Sequence, residues 1–188
     1  MTYKILSPIL KLIGIILILA LAFWLAHLAE SSSIIADIIF QYGYVGIFIV
    51  SVISGFNIII PIPVVTFVPL FLEAGLSFWA VVIVMVLGLT VADLLGYAIG
   101  RSSRRLTSPW HHKKIFKRLD KMKSRHYLAP IVALFFFASF APFPNEVLVI
   151  PLGFLRYRFT HVFISLFLGN IIFTILASFG VISLFKFF

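Results

Sequence analysis

No cysteine occurs in this chain, and only six of its 188 residues are acidic. The first absence excludes a disulfide framework and any thiolate-held metal. The second belongs to a wider shortage. Charged residues make up 11% of the chain, too few to cover a soluble globule, while 62% is hydrophobic and the mean hydropathy is +1.17. Such a chain is an integral membrane protein. Also missing are a Gly-x-Ser-x-Gly elbow, a His-Glu-x-x-His pair and a Walker glycine loop. Intramembrane aspartyl catalysis needs two facing aspartates, and only Asp93 sits deep in an apolar run. The sequence is therefore read as a non-enzyme without a cofactor, drawing any energy from an ion gradient or from its substrate's own gradient. His111, His112 and His161 have no acid or cysteine nearby at ligand spacing, so no metal site is expected.

What charge there is has a strong sign. The formal net charge is +9, but ten of the fifteen Lys and Arg fall between Arg101 and Arg125, in one linker between apolar blocks. That is the pattern of a cytoplasmic loop, and it argues against nucleic acid as a partner. Within the linker, Ile115, Phe116, Leu119 and Met122 recur at helical spacing, so Trp110–Arg125 could also lie on the membrane surface as a basic amphipathic helix gathering anionic head groups.

In order, residues 1–29 form a first transmembrane helix with its N-terminus inside. Their apolar run exceeds the roughly 7–15 residues of a cleaved signal peptide. Residues 30–42 hold a polar break and a segment, Ile34–Tyr42, too short to span and placed at the interface. Residues 43–100 hold a proline-broken hairpin and then Phe78–Gly100, about 34 Å long at helical rise and able to span. Gly88, Ala92, Gly96 and Gly100 give that helix one face for close approach, in this chain or in a homo-oligomer. Residues 101–126 are the basic cytoplasmic linker, and residues 127–188 hold a second broken hairpin and a last spanning helix.

The breaks are Pro61 with Pro63, and Pro142 with Pro144. Proline costs ~3 kcal/mol inside a helix, and broken backbone at membrane depth survives only where protein or water covers it. Two half-helices around such a break can enter and leave by one face. A shift of 81 residues superposes Pro61 on Pro142, Pro63 on Pro144, Phe78 on Phe159 and Gly88 on Gly169. The fold expected is an all-α polytopic membrane protein of two inverted repeats, each a re-entrant hairpin followed by a spanning helix, the architecture of secondary transporters. Pro69 is expected to kink the first return arm.

Asp93 and Glu146 are the acids placed deep in the membrane. Two carboxylates on a shared cavity can exchange a coupling proton or sodium ion; alternatively each caps a half-helix, a reading as good for Glu146 as the functional one and weaker for Asp93. Thr90 and Tyr97 lie on a face neighbouring the glycines. Asn57 and Asn145 are expected to bond backbone freed at the breaks, with substrate contact secondary. Arg101, Arg156 and Arg158 lie at the inner face, where they anchor topology and could meet a lipid phosphate.

Gly43-Tyr44-Val45-Gly46 leading into Pro61-Ile62-Pro63, then Gly88, Ala92-Asp93, Tyr97 and Gly100-Arg101, resembles the DedA family, the bacterial and archaeal branch of the VTT-domain or SNARE-associated Golgi proteins. Phe137, Phe140, Pro142 and Gly153 resemble its second motif. The resemblance implies two facing re-entrant hairpins in a cell-membrane protein that moves lipid, polyprenyl phosphate or phospholipid, between leaflets, with proton or sodium coupling proposed for some members. The chain departs from the family pattern at Val65, where an acid is common, and at Ser139 and Asn145, where arginines are common. A membrane assembly or scaffold protein, and a small-ion transporter, are the alternatives.

Overall fold

The computed structural model describes residues 33–55, 64–103, 127–141 and 143–187, with isolated helical positions at Leu17, Ala20, Leu21 and Trp24. The remainder of the expected first helix, Asn57, Pro61, Pro63, Pro142 and the basic linker beyond Ser103 lie outside the described residues. Those described form helices and no strands: α1 (Ser33–Gly55), a 3-10 turn (Val64–Phe67), α2 (Val68–Glu73), α3 (Phe78–Ser103), α4 (Ala129–Phe140), α5 (Glu146–Phe154) and α6 (Phe159–Phe187). Among the described residues, three stretches are long and apolar enough to cross a membrane: Asp37–Gly55, Phe78–Ser103 and Phe159–Phe187. With its composition, this makes the chain a membrane protein. At helical rise α4 is about 18 Å long and α5 about 14 Å, each well short of a ~30 Å hydrocarbon core.

The segment expected to stop at Tyr42 does not stop there. One helix runs through Ser33–Gly55, and Gly43 lies inside it, where Leu76 packs so closely that a Cβ would meet its side chain at 2.8 Å. A single helix-interior glycine costs only ~1 kcal/mol against alanine, which tertiary packing easily offsets. Pro69 does not kink the return arm either. It occupies the first turn of α2, where its missing N–H has no intrahelical partner to lose.

Direction is fixed by what touches what. Gly43 meets Leu76 and Gly55 meets Ala92, so α1 and α3 run the same way. The chain between Gly55 and Leu76 therefore doubles back. Likewise Tyr127 stacks on Tyr157 at the start of α4, while Ala138 near its end meets Gly169, so the chain doubles back again before α6. The long helices α3 and α6 are antiparallel: Phe78 packs on Phe179, and Tyr97 on Phe159.

The turns that launch α3 and α6 match 81 residues apart. Leu76 N–H donates to Phe71 O (3.0 Å) and Gly75 N–H to Leu72 O (2.9 Å); Tyr157 N–H donates to Leu152 O (3.1 Å) and Arg156 N–H to Gly153 O (3.0 Å). Both are helix ends closed by a residue in the left-handed region, Gly75 at φ 86° and Arg156 at φ 55°. Leu76 and Tyr157, the residues that follow, are both buried.

Each return arm then packs on the long helix of the other half. The 3-10 turn and α2 lie against α6, where Val64, Val65 and Val68 join Val181 and Ile182. Helix α5 lies against α3, more closely: a Cβ on Gly100 would strike Ile150 O, and one on Gly153 would strike Tyr97 O. The four-residue row on α3 is thus shared. Gly88 and Ala92 face α1, and Gly96 and Gly100 face α5, because a spacing of four on a 3.6-residue helix drifts around the axis.

Candidate functional site

Asp93 lies near the middle of α3, 3% exposed, in a helix otherwise apolar for most of its length. Its Oδ2 accepts from Asn170 Nδ2 at 2.9 Å and from Asn145 Nδ2 at 3.1 Å. Asn145 Nδ2 also approaches Asn170 Oδ1 at 3.3 Å, and Asn170 Nδ2 approaches Thr90 Oγ1 at 3.2 Å. Three elements therefore meet on one carboxylate: α3, α6 and the residue preceding α5. A carboxylate accepting two amide N–H groups keeps much of the hydrogen bonding that burial takes from it.

Asn145 corrects its expected role. It stands at the N-terminal cap position of α5 and makes no side-chain cap bond; its amide turns to Asp93 instead. Glu146, the first residue of α5, is also 3% exposed and lies against Gly96, where a Cβ would sit 3.5 Å from Glu146 Cγ. Both acids are thus buried within about one turn of each other along α3. Among the described residues no group of three His, Cys, Asp or Glu could hold a metal ion.

Tyr97, on the face neighbouring the glycines, is a strut. Buried at 3% exposure, it donates from its hydroxyl to Tyr157 O (2.5 Å) and accepts from Arg101 Nη1 (2.9 Å). Arg101, Arg156 and Arg158 are exposed and share one end of the body with this strut: Arg156 and Arg158 flank Tyr157, and Arg158 N–H donates to Tyr127 Oη (3.1 Å). Ser139, at one of the positions where the resembled family commonly has arginine, donates to Phe135 O (2.8 Å) within its own helix.

A family model described as the VTT domain matches residues 60–183, well over half of the chain. The chain belongs to the VTT-domain family. The match covers α2 to most of α6, and so includes every residue of the Asp93 network in this VTT-domain protein. Comparison with curated proteins and with solved structures finds no match.

Asn170 is the member of the site that sequence reasoning missed. The signal was present: one amide in the middle of the apolar run Phe159–Phe187, next to the Gly169 that the 81-residue shift aligns with Gly88. An isolated amide at such depth needs a partner, and Asp93 supplies it.

Proposed function

We propose that this VTT-domain protein moves lipid, polyprenyl phosphate or phospholipid, between the leaflets of the cell membrane, with Asp93 and Glu146 serving a coupling proton or sodium ion. In this reading the two doubled-back segments are re-entrant hairpins of inverted repeats, and the N-terminus and the 101–126 linker face the cytoplasm. The matched turns, the antiparallel α3 and α6 and the exchanged return arms support that reading. One observation carries the functional part: a buried carboxylate held by amides from two other elements, where the second doubled-back segment reaches its deepest point against both long helices. An acid at such depth costs roughly 2.5–3.5 kcal/mol on insertion scales and is functional by default. Arg101, Arg156 and Arg158, gathered around Tyr97 and Tyr157, would hold an anionic head group as it enters.

The scaffold alternative relied on the glycine face of α3 to join copies of the chain. That face is covered by α1 and α5, which weighs against it. The test is exchange of a fluorescent phospholipid between leaflets of reconstituted vesicles. Native protein is expected to exceed empty vesicles, with Asp93→Asn and Glu146→Gln reduced at least tenfold. No exchange by the native chain across several lipid types would sink the proposal, and ion flux without lipid exchange would leave the small-ion transporter in its place.

A further inference from the structure

Beyond Asn170, toward the end of α6, two hydroxyls stand on the same face of the helix one and two turns on: Thr174 and Ser178. Both residues are 0% exposed, and neither oxygen has a hydrogen-bond partner. Ser51, buried on α1 against Gly88, is in the same state, whereas two other helix hydroxyls are not. Ser139 donates to Phe135 O at 2.8 Å and Ser103 to Ile99 O at 2.6 Å, the usual bond to the preceding turn. A buried polar group without a partner in its own chain marks a place where water or an ion supplies one.

We infer that Thr174 and Ser178 line a hydrated half-path that brings water, and with it a proton, to Asp93 from the face at which α6 ends and α3 begins. Phe179 packs on Phe78, so Ser178 lies level with the start of α3. Asn170, bonded to Asp93, is two turns deeper, about 12 Å at helical rise. On the other side of Asp93 stands a fixed positive charge. One turn on, the Tyr97 hydroxyl is engaged by Tyr157 O and by the Arg101 guanidinium, whose fixed charge repels a hydrated proton. The Asp93 carboxylate is thereby reached from one face, as alternating access requires of a coupling group.

Few other titratable groups compete for that proton among the described residues. Glu146 comes from α5, and Tyr97 and Arg101 from α3 itself. Helix α6 carries His161 and Lys186 only toward its ends, and α4 carries none. Asp37, Tyr42 and Tyr44 of α1 and Glu73 of α2 are exposed.

This inference rests on Asp93 as the coupling acid, so its test has a separate arm for the path. The native chain has no cysteine, so Thr174→Cys, Ser178→Cys and, as a control, the equally buried Leu166→Cys can be compared one at a time in vesicles with a small charged methanethiosulfonate reagent. The two path positions are expected to label at least tenfold faster than Leu166→Cys, and from one face only. Labelling no faster than Leu166→Cys overturns the path. In the second arm, Thr174→Val with Ser178→Ala is expected to keep or raise the melting temperature while lowering pH-jump-driven lipid exchange at least tenfold. Unchanged pH-driven exchange in that variant overturns the path's role in carrying the proton. If the native chain ignores the pH step while Ser178→Cys labels quickly, the coupling role of Asp93 is what falls, and proton delivery falls with it.

Discussion

The two turns that launch α3 and α6 share one hydrogen-bond plan, and the segments around them differ in what they carry. Eighty-one residues separate the matched turns, yet Asn145 and Glu146 have Val64 and Val65 as counterparts, Asp93 has Thr174, Asn170 has Leu89, and Arg156 has Gly75. One return arm begins with an amide and an acid aimed at α3, and the other with two valines packed on α6. The seams differ in the same sense. Gly100 and Gly153 bring α3 and α5 into backbone contact, whereas the matched positions between α6 and α2 are Val181 and Leu72. Matched turns therefore do not imply matched chemistry. The α3–α5 seam holds a close-packed acidic centre, and the α2–α6 seam is its apolar counterpart.

The largest effect should come from separating the close seam. Gly100→Leu or Gly153→Leu would drive a side chain into backbone and is expected to cost ~3 kcal/mol, read as loss of monodisperse protein in detergent. Val181→Leu at the matched position should cost less than half as much, and equal losses would erase the contrast between the seams. Next, Asp93→Ala removes the acceptor that Asn145 and Asn170 share. It should lower stability by about 1–3 kcal/mol in thermal unfolding, with Asp93→Asn milder and Thr174→Ala near neutral.

Tyr97→Phe deletes both bonds of the strut and should cost about 1–2 kcal/mol, whereas Ser178→Ala, its match in the other half, should cost nothing measurable. The smallest effect carries the clearest sign. Arg156 holds a left-handed conformation that its counterpart assigns to glycine. Arg156→Gly should therefore raise stability by ~0.5–1 kcal/mol and Gly75→Ala lower it by ~1 kcal/mol, both measured by thermal melting. A loss of stability in Arg156→Gly would mean that the arginine side chain holds the turn. A gain in stability with weaker exchange of an anionic lipid would place it at the head group.

Several features were legible in the residues alone. The two long helices, Asp93 as a buried acid and Thr90 beside it all come from hydropathy, spacing and rare residue types. What was misread shares one cause. Asn145 was assigned to its local backbone because capping is the default near a helix start, but a carboxylate from a helix 52 residues earlier took its amide instead. Tyr42–Gly43 looked like a boundary because glycine usually ends helices, whereas here it makes room for Leu76.

Composition and hydropathy by themselves determined that this protein lives in a bilayer and must satisfy its few buried polar groups internally. The cost of unmade hydrogen bonds and dehydrated charge does not depend on which partners are found. Which polar groups meet was decided only when α3 and α6 packed antiparallel and the second return arm crossed to α3. A side chain buried in an apolar interior takes whatever donor the packing brings within about 3 Å, and sequence distance does not enter that choice.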